Sequence, residues 1–404
     1  MQYKVIIALT SGRVSGVDVF SVTLLRGLLK SGIPAKIVLT NDGATEVDAM
    51  PLPDDIPIER LALPQTRNGK PCLRPMLEYL HDQGPCVYLP NYDYRHSTVC
   101  AKLRARVAAI GIVHSDDPMH YTHTLRLGRY WNAIVAVSSK IHQTVAGIDD
   151  SFRNRLVTIP YGVPVPDNIV RAESAPGTPL RMLYVGRMEQ AQKRVFRLIE
   201  ILDLLQQRGI PCVLTLVGGG AATEEFRVRA EHHIASGRVR FAGILPNHAV
   251  GSEYLRNDVF LLTSAFEELP VSLLEAMAHG CVPVVLRTDS GIPELIRDGE
   301  NGQMIAESDF GCFADHLAPL YADPRKRAEM SQRARATIIN QGFGSDRMVN
   351  DYLLLFQRVF DDLRRGLYRR RRSRLPLDLF GYRLPHSMER VVSRLRRSWA
   401  TGNA

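Results

Sequence analysis

Short runs of Val, Ile and Leu alternate with longer stretches of mixed polarity along most of this 404-residue chain. Continuous apolar runs of strand length mark strands buried on both faces, and the amphipathic stretches between them suit helices covering a parallel sheet. The pattern predicts an α/β protein. Strands are expected at 3–8, 35–39, 86–89, 109–113 and 133–137, with a helix over 17–30 after the first. A stretch rich in proline and glycine, 159–179, then breaks the alternation, because no regular element tolerates that composition in its interior. Beyond it the pattern restarts, with strands at 181–185, 212–217, 239–241, 259–262 and 282–286 and helices over 195–208 and 222–235. Two doubly wound, Rossmann-like domains follow, 1–165 and 166–345, facing a central cleft at the carboxyl ends of their strands, where such folds bind ligands. A closing helix over 346–364 carries Met348, Tyr352, Leu355, Phe356 and Val359 on one stripe and is expected to pack on the body.

Composition narrows the class. Hydrophobic residues make up 45% and charged residues 23%, and no stretch approaches the twenty apolar residues of a membrane span. The first ten residues read as a strand, not as a leader peptide. Cys72, Cys86, Cys100, Cys212, Cys281 and Cys312 are scattered, with no C-x-x-C pair, so reduced thiols in a cytoplasmic protein are expected. The net charge of +9 is local: from Arg364 onward there are twelve arginines against Asp378 and Glu389. The first 363 residues hold 39 basic and 40 acidic side chains, which argues against nucleic acid as a partner. In the tail, 365–404, Met388, Val391, Val392, Leu395 and Trp399 fall on one helical face and Arg390, Arg394 and Arg397 on another. That is the pattern of a helix lying on an anionic membrane surface, and a disordered arginine-rich extension is the alternative.

The segment with the most chemistry runs from Ser264 to Val285. Its strand ends in a polar loop carrying Glu267, Pro270 suits the start of a helix, and Gly280 sits where helices stop. Glu267 would thus reach the ligand edge of the sheet while the helix start turns free N–H groups toward it. Glu275 follows eight residues later. A nucleotide sugar needs such a set: one carboxylate near the sugar, one for ribose hydroxyls, and amides facing the diphosphate. Taken alone, two solvated glutamates would be the simpler account.

The segment closely resembles the E-x7-E region of the retaining family 4 glycosyltransferases of GT-B fold, the group 1 glycosyl transferases. The match continues through Ala276-Met277-Ala278, Gly280, Pro283 and Gly291-Ile292-Pro293-Glu294 and spans the second domain. The resemblance implies that Glu267 lies near the donor sugar, that Glu275 binds the ribose, and that Leu269, Pro270 and Val271 contact the donor through backbone. Glu268 departs from it, since the family usually has glycine there. Gly186-Arg187 with Lys193 resembles the family's diphosphate-holding pair; fixed cations stabilise a leaving group that gains negative charge. Gly218, in the glycine run after its strand, permits close backbone approach to a nucleotide, with an ordinary turn as the alternative; the Gly243-Ile244 segment resembles the family segment lining the base, and Gly16, after Ser15, its phosphate-side glycine loop, with a plain strand-to-helix turn as the alternative. His114 resembles the histidine that hydrogen-bonds the donor sugar, and a structural histidine is the alternative. The neighbouring Asp116, Asp117, His120 and His123 fit no familiar metal spacing.

No D-x-D triplet occurs in the chain, so Arg187 and Lys193 are expected to take the electrostatic role that a divalent ion plays elsewhere, with no metal and no cofactor. The implied reaction is metal-independent, retaining transfer of a hexose from a UDP- or GDP-type donor, the co-substrate, to a glycan or lipid-linked acceptor. Polysaccharide or glycolipid synthesis in the cytoplasm, or on the inner face of a membrane, is the expected setting. An epimerase or phosphorylase of the same fold, or a nucleotide-sugar binder without turnover, is the alternative; Glu268 keeps the last open.

Overall fold

The computed structural model describes residues 3–10, 16–40, 52–53, 55–64, 72–91, 95–171, 175 and 177–367. The basic tail beyond 367 and Ser15 lie outside the described residues. Two compact units divide the chain: one comprises Met1–Arg13, Phe20–Pro160 and Met348–Ala404, the other Val14–Val19 and Tyr161–Arg347.

The first unit holds a seven-stranded parallel sheet. Its strands are β1 (Lys4–Leu9), β2 (Ala35–Leu39), β3 (Ile58–Arg60), β4 (Cys86–Leu89), β5 (Val107–Val113), β6 (Ala133–Ala136) and β7 (Leu156–Thr158), in the order β3-β2-β1-β4-β5-β6-β7. The second unit repeats the plan with β8 (Leu180–Val185), β9 (Cys212–Val217), β10 (Val239–Gly243), β11 (Val259–Leu262), β12 (Val282–Leu286) and β13 (Gln303–Ile305), ordered β10-β9-β8-β11-β12-β13. Each order runs outward from its first strand and then reverses, the doubly wound arrangement. Its switch points lie between β1 and β4 and between β8 and β11. All residues of β5, β11 and β12 are buried. Helices on both faces leave these strands no solvent side, which is why they read as unbroken apolar runs.

Departures from the sequence reading have local causes. The edge strands β3, β7 and β13 have three residues each, too few to show alternation. The helix expected over 222–235 is two, Thr223–Arg229 and Glu231–Ala235, because Ala230 sits at φ −96° and ψ 13°, outside helical geometry. Among the described residues no helix is long and apolar enough to cross a membrane.

The last helix, Ser345–Arg364, packs with the first unit. Its buried stripe comprises Met348, Val349, Tyr352, Leu355, Phe356, Val359 and Phe360. Phe360 stacks on Tyr3 with ring centroids 4.7 Å apart, Phe356 meets Tyr3 edge-on at 6.4 Å, and Tyr352 lies 5.8 Å from Phe20. Each fully buried ring contributes roughly 2–3 kcal/mol of hydrophobic stabilisation. Just before this helix, Val163 N–H donates to the Phe343 carbonyl (2.9 Å) and Ser345 N–H to the Val163 carbonyl (2.8 Å). The chain's entry into the second unit and its exit are therefore bonded together.

Gly27 gives the closing helix its seat, for a Cβ there would lie 2.2 Å from a Val349 methyl. Gly27→Ala is expected to lower unfolding free energy by about 1–3 kcal/mol through overpacking. Val349→Ala on the same chain should recover most of that loss in chemical denaturation, and an additive further loss would show that this contact does not seat the helix.

Candidate functional site

At the second unit's switch point, β8 and β11 end side by side and send out two loops that are bonded to each other. The loop after β8 runs through Gly186, Arg187 and Lys193; the loop after β11 through Ser264 and Glu267. Ala265 N–H donates to the Gln192 carbonyl (2.7 Å), the Gln192 side-chain amide to the Phe266 carbonyl (3.3 Å), and the Thr263 hydroxyl to the Lys193 carbonyl (3.0 Å). The fully buried Tyr184 props the first loop by donating to the Arg187 carbonyl (2.7 Å).

This stitching brings together the cation and carboxylate expected to share a site, 74 residues apart in sequence. Lys193 Nζ lies 2.5 Å from Glu267 Oε1, and their side chains are only 15% and 7% exposed. Ser264, three residues ahead of Glu267, donates its hydroxyl to the same oxygen at 2.6 Å. Arg187 is exposed and donates to the Gln192 side-chain oxygen at 2.9 Å. The loops thus hold one partly buried, paired lysine and one accessible guanidinium.

Next to them the glycine turn after β9 is fitted against the β8 loop. Gly218 has φ +131° and N–H donating to the Gly243 carbonyl at 2.8 Å; a Cβ on Gly218 would fall 1.9 Å from the Gly186 carbonyl oxygen. Only glycine fits that combination of conformation and close approach. Gly186 N–H continues the ladder to the Val217 carbonyl (3.0 Å). Gly243, at φ +71°, ends β10 and leaves Ile244 41% exposed beside Gly219. The ends of β8, β9 and β10 therefore form one surface of backbone with little side chain.

Leu269 and Val271 are buried, and Pro270, at φ −65°, is the N-cap of helix Val271–Ala278. The first-turn amides of a helix lack intrahelical acceptors, so this start faces an anion favourably. Glu268 is buried, and its carbonyl accepts from Gly291 N–H at 2.9 Å. Glu275, one turn into the helix, accepts the Tyr254 hydroxyl on Oε2 at 3.0 Å. Burial pushes the Glu275 carboxyl up to about 7, and the Tyr254 bond pulls the other way.

Two further expected residues lie outside these loops. Gly16 is the exposed first residue of helix Gly16–Lys30 and belongs to the second unit, where a Cβ on it would lie 3.5 Å from a Val271 methyl. His114 belongs to the first unit, at the end of β5, where it is buried against Phe20 with its Nε2 3.3 Å from Asn91 Oδ1. Burial holds its imidazole well below its ordinary pKa, with His120 adding in the same direction, so it is neutral at pH 7. Asn91 sits at φ +53° and donates its amide to the Ala8 carbonyl and to Ser21. Its oxygen is left to accept, which assigns the proton to His114 Nε2. Asp116 pairs with Lys140 at 2.7 Å, and Asp117 caps the following helix through Met119 N–H. Among the described residues, the group of three metal-type ligands lying within 4.8 Å of one another is Asp203, His232 and His233, outside that cluster.

Tyr254, Tyr184, Ser264, Thr263 and Gln192 were not singled out from the sequence. Ser264 could have been, since it lies within the motif; Tyr254, Thr263 and Gln192 act through partners distant in the chain, and Tyr184 through a backbone carbonyl three residues on.

The Glu275 carboxyl gives a stability signature. Its folded value of about 7 exceeds its ordinary 4.5, so the folded state retains a proton that the unfolded chain loses, and stability falls as pH rises between those values. Relative to Glu275→Gln, the wild type is expected to lose about 2 kcal/mol between pH ~5.5 and ~8. Urea unfolding of both at several pH values tests this, and a pH-independent difference would contradict it.

Glycosyltransferases are among the known proteins similar to this chain. WcaL of Salmonella typhimurium, which carries the name of a colanic acid biosynthesis glycosyltransferase, is 34% identical over 154 residues, 37% of this chain and 37% of its own. The lipopolysaccharide core biosynthesis glycosyltransferase LpsE of Rhizobium meliloti is 33% identical over 142 residues, 35% of this chain and 41% of its own. These alignments span less than half the length of the relatives. Among solved structures, HepE of Anabaena, in complex with UDP and glucose, superposes with a TM-score of 0.70 at 16% identity, covering 88% of this chain and all of that one. The shared fold is GT-B, with two Rossmann-like α/β units. The match to a family is located where the site is: residues 166–337 fit the model of the glycosyl transferases group 1.

Proposed function

We propose that the protein transfers a sugar from a nucleoside-diphosphate donor, of UDP or GDP type, to a glycan or lipid-linked acceptor in polysaccharide or glycolipid assembly. The observation that carries this reading is the convergence of Arg187, Lys193 and Glu267 at the β8–β11 switch point. Helix Val271–Ala278, with Glu275 on it, begins at the same edge. In this reading the diphosphate takes Arg187 and Lys193, the ribose takes Glu275, and Glu267 orients the sugar. Backbone at Leu269, Pro270 and Val271 contacts the donor, Gly186 and Gly218 let the nucleotide approach closely, and Gly243-Ile244 borders the base. Gly16 is read as facing the phosphates, and His114 as a neutral hydrogen-bonding partner of the sugar.

The chemistry follows from these charges. The bond from the anomeric carbon to the diphosphate oxygen breaks, and the leaving oxygen gains charge that Arg187, Lys193 and the helix start stabilise. Lys193 exchanges Glu267 for phosphate as this happens, so its positive charge is prepositioned by a carboxylate that stays in the site. The acceptor hydroxyl attacks on the same face, its proton passing to a phosphate oxygen, and configuration is retained. The protein's own cations do the work of a metal ion in this scheme. The arginine surplus of 365–404 suits an anionic membrane surface presenting the acceptor.

Lys193→Ala is expected to lower kcat about 10²-fold with a smaller change in donor KM, read as nucleoside diphosphate released from UDP- and GDP-linked hexoses. EDTA should leave the wild-type rate unchanged, and NMR of the product should show the donor's anomeric configuration. An inverted product would overturn the same-face mechanism, and a rate abolished by EDTA and restored by Mg²⁺ would overturn the metal-free one.

A further inference from the structure

We infer that Tyr254 is the positioning residue for Glu275: its hydroxyl, set between the Ser272 carbonyl and the Glu275 carboxyl, holds that carboxyl in one rotamer for the donor's ribose. The inference rests on the reading of Glu275 as the ribose-binding group. Tyr254 lies on helix Asn247–Arg256 and is 1% exposed. Its hydroxyl oxygen is 3.0 Å from Glu275 Oε2 and 3.3 Å from the Ser272 carbonyl oxygen. The ring is locked at its other face by His279, with centroids 5.2 Å apart and planes 28° from parallel. His279 is itself fixed by a 2.8 Å bond from its Nδ1 to the Glu275 carbonyl. The Tyr254 backbone carbonyl accepts from the Cys281 thiol (3.1 Å) and from Arg171 (3.3 Å).

A phenol has one hydrogen and can also accept one. When Glu275 is ionised, the hydrogen points to Oε2. When Glu275 is neutral, the phenol turns to the Ser272 carbonyl and accepts the carboxyl proton in return. One hydroxyl therefore satisfies both protonation states without moving a heavy atom. Ribose hydroxyls donate to a carboxylate, so donor binding selects the ionised form and the proton leaves to solvent.

Among the described residues, the titratable groups around Glu275 are few. Tyr254 comes from helix Asn247–Arg256 and His279 from Glu275's own helix. Arg171, ahead of β8, and Arg335, from helix Pro324–Asn340, act on His279, whose imidazole burial already lowers. Tyr254 itself stays protonated, held well above its ordinary value by burial and by the Glu275 charge.

The test is Tyr254→Phe, which keeps the ring and its stack. UDP and GDP are titrated into wild type, Tyr254→Phe and Glu275→Gln from pH ~6 to ~9. The nucleotide's own phosphate titration near pH ~6 is common to wild type and Tyr254→Phe and cancels when the two are compared. Wild-type binding should strengthen as pH rises through about 7. Tyr254→Phe should bind about tenfold more weakly near neutrality, with its midpoint moved to higher pH and the deficit narrowing at the alkaline end. Carbon-13 NMR of the Glu275 carboxyl reads the same midpoint without nucleotide, so it decides the matter even if the variant is less stable. A Phe variant with wild-type affinity and midpoint, while Glu275→Gln loses binding, would reduce Tyr254 to packing. Absence of nucleotide binding by wild type would instead overturn the reading of Glu275 itself.

Discussion

Every strand of a parallel sheet delivers its carboxyl end to the same edge, and the reversal of winding between β8 and β11 keeps helices from covering that edge. The site depends on this constraint. It lets two loops separated by 74 residues bond to each other and places Lys193 on Glu267. The glycine turn after β9 is subject to the same geometry: the Gly186 carbonyl occupies the space where a side chain at 218 would stand. Backbone is therefore what this edge offers a ligand, with a handful of charged groups set into it.

Those charges are arranged for exchange. A partly buried ion pair contributes little net stability, because desolvation offsets most of its attraction. In the proposed reading its worth at Lys193 and Glu267 is to hold both groups where a diphosphate and a sugar would meet them. Glu275 is the complementary case: burial favours its neutral form, and a hydrogen-bonding ligand would favour the carboxylate. In the proposed reading, an anionic donor approaching this edge meets cations already in position and a carboxyl that burial holds toward its neutral form.

Much of this was legible in the sequence. Strands β2, β4, β9, β11 and β12 fell where the apolar runs placed them, since strands covered on both faces are predominantly apolar along their length. The E-x7-E segment, Arg187 and Lys193 announced themselves by motif. The three-residue edge strands β3, β7 and β13 did not, being too short for periodicity, and neither did the break at Ala230, which is a backbone event in an otherwise helical pattern. Pairings were least readable. Tyr254 looks like one more core aromatic until the fold sets its hydroxyl on a carboxyl 21 residues away. The turn at 217–220 gave a weak signal for the same reason, as glycines serve ordinary turns too; the positive φ of Gly218 and the close Gly186 carbonyl are facts of packing.

The central claim is that the carboxyl edge of β8 and β11 binds a nucleoside diphosphate through the protein's own cations. Calorimetric titration of UDP and GDP into wild type and Arg187→Ala, with chelator present throughout, tests it most directly. The account predicts that one of the two nucleotides binds wild type and binds the variant about tenfold more weakly. Equal binding to both proteins, or none to folded wild type, would contradict it.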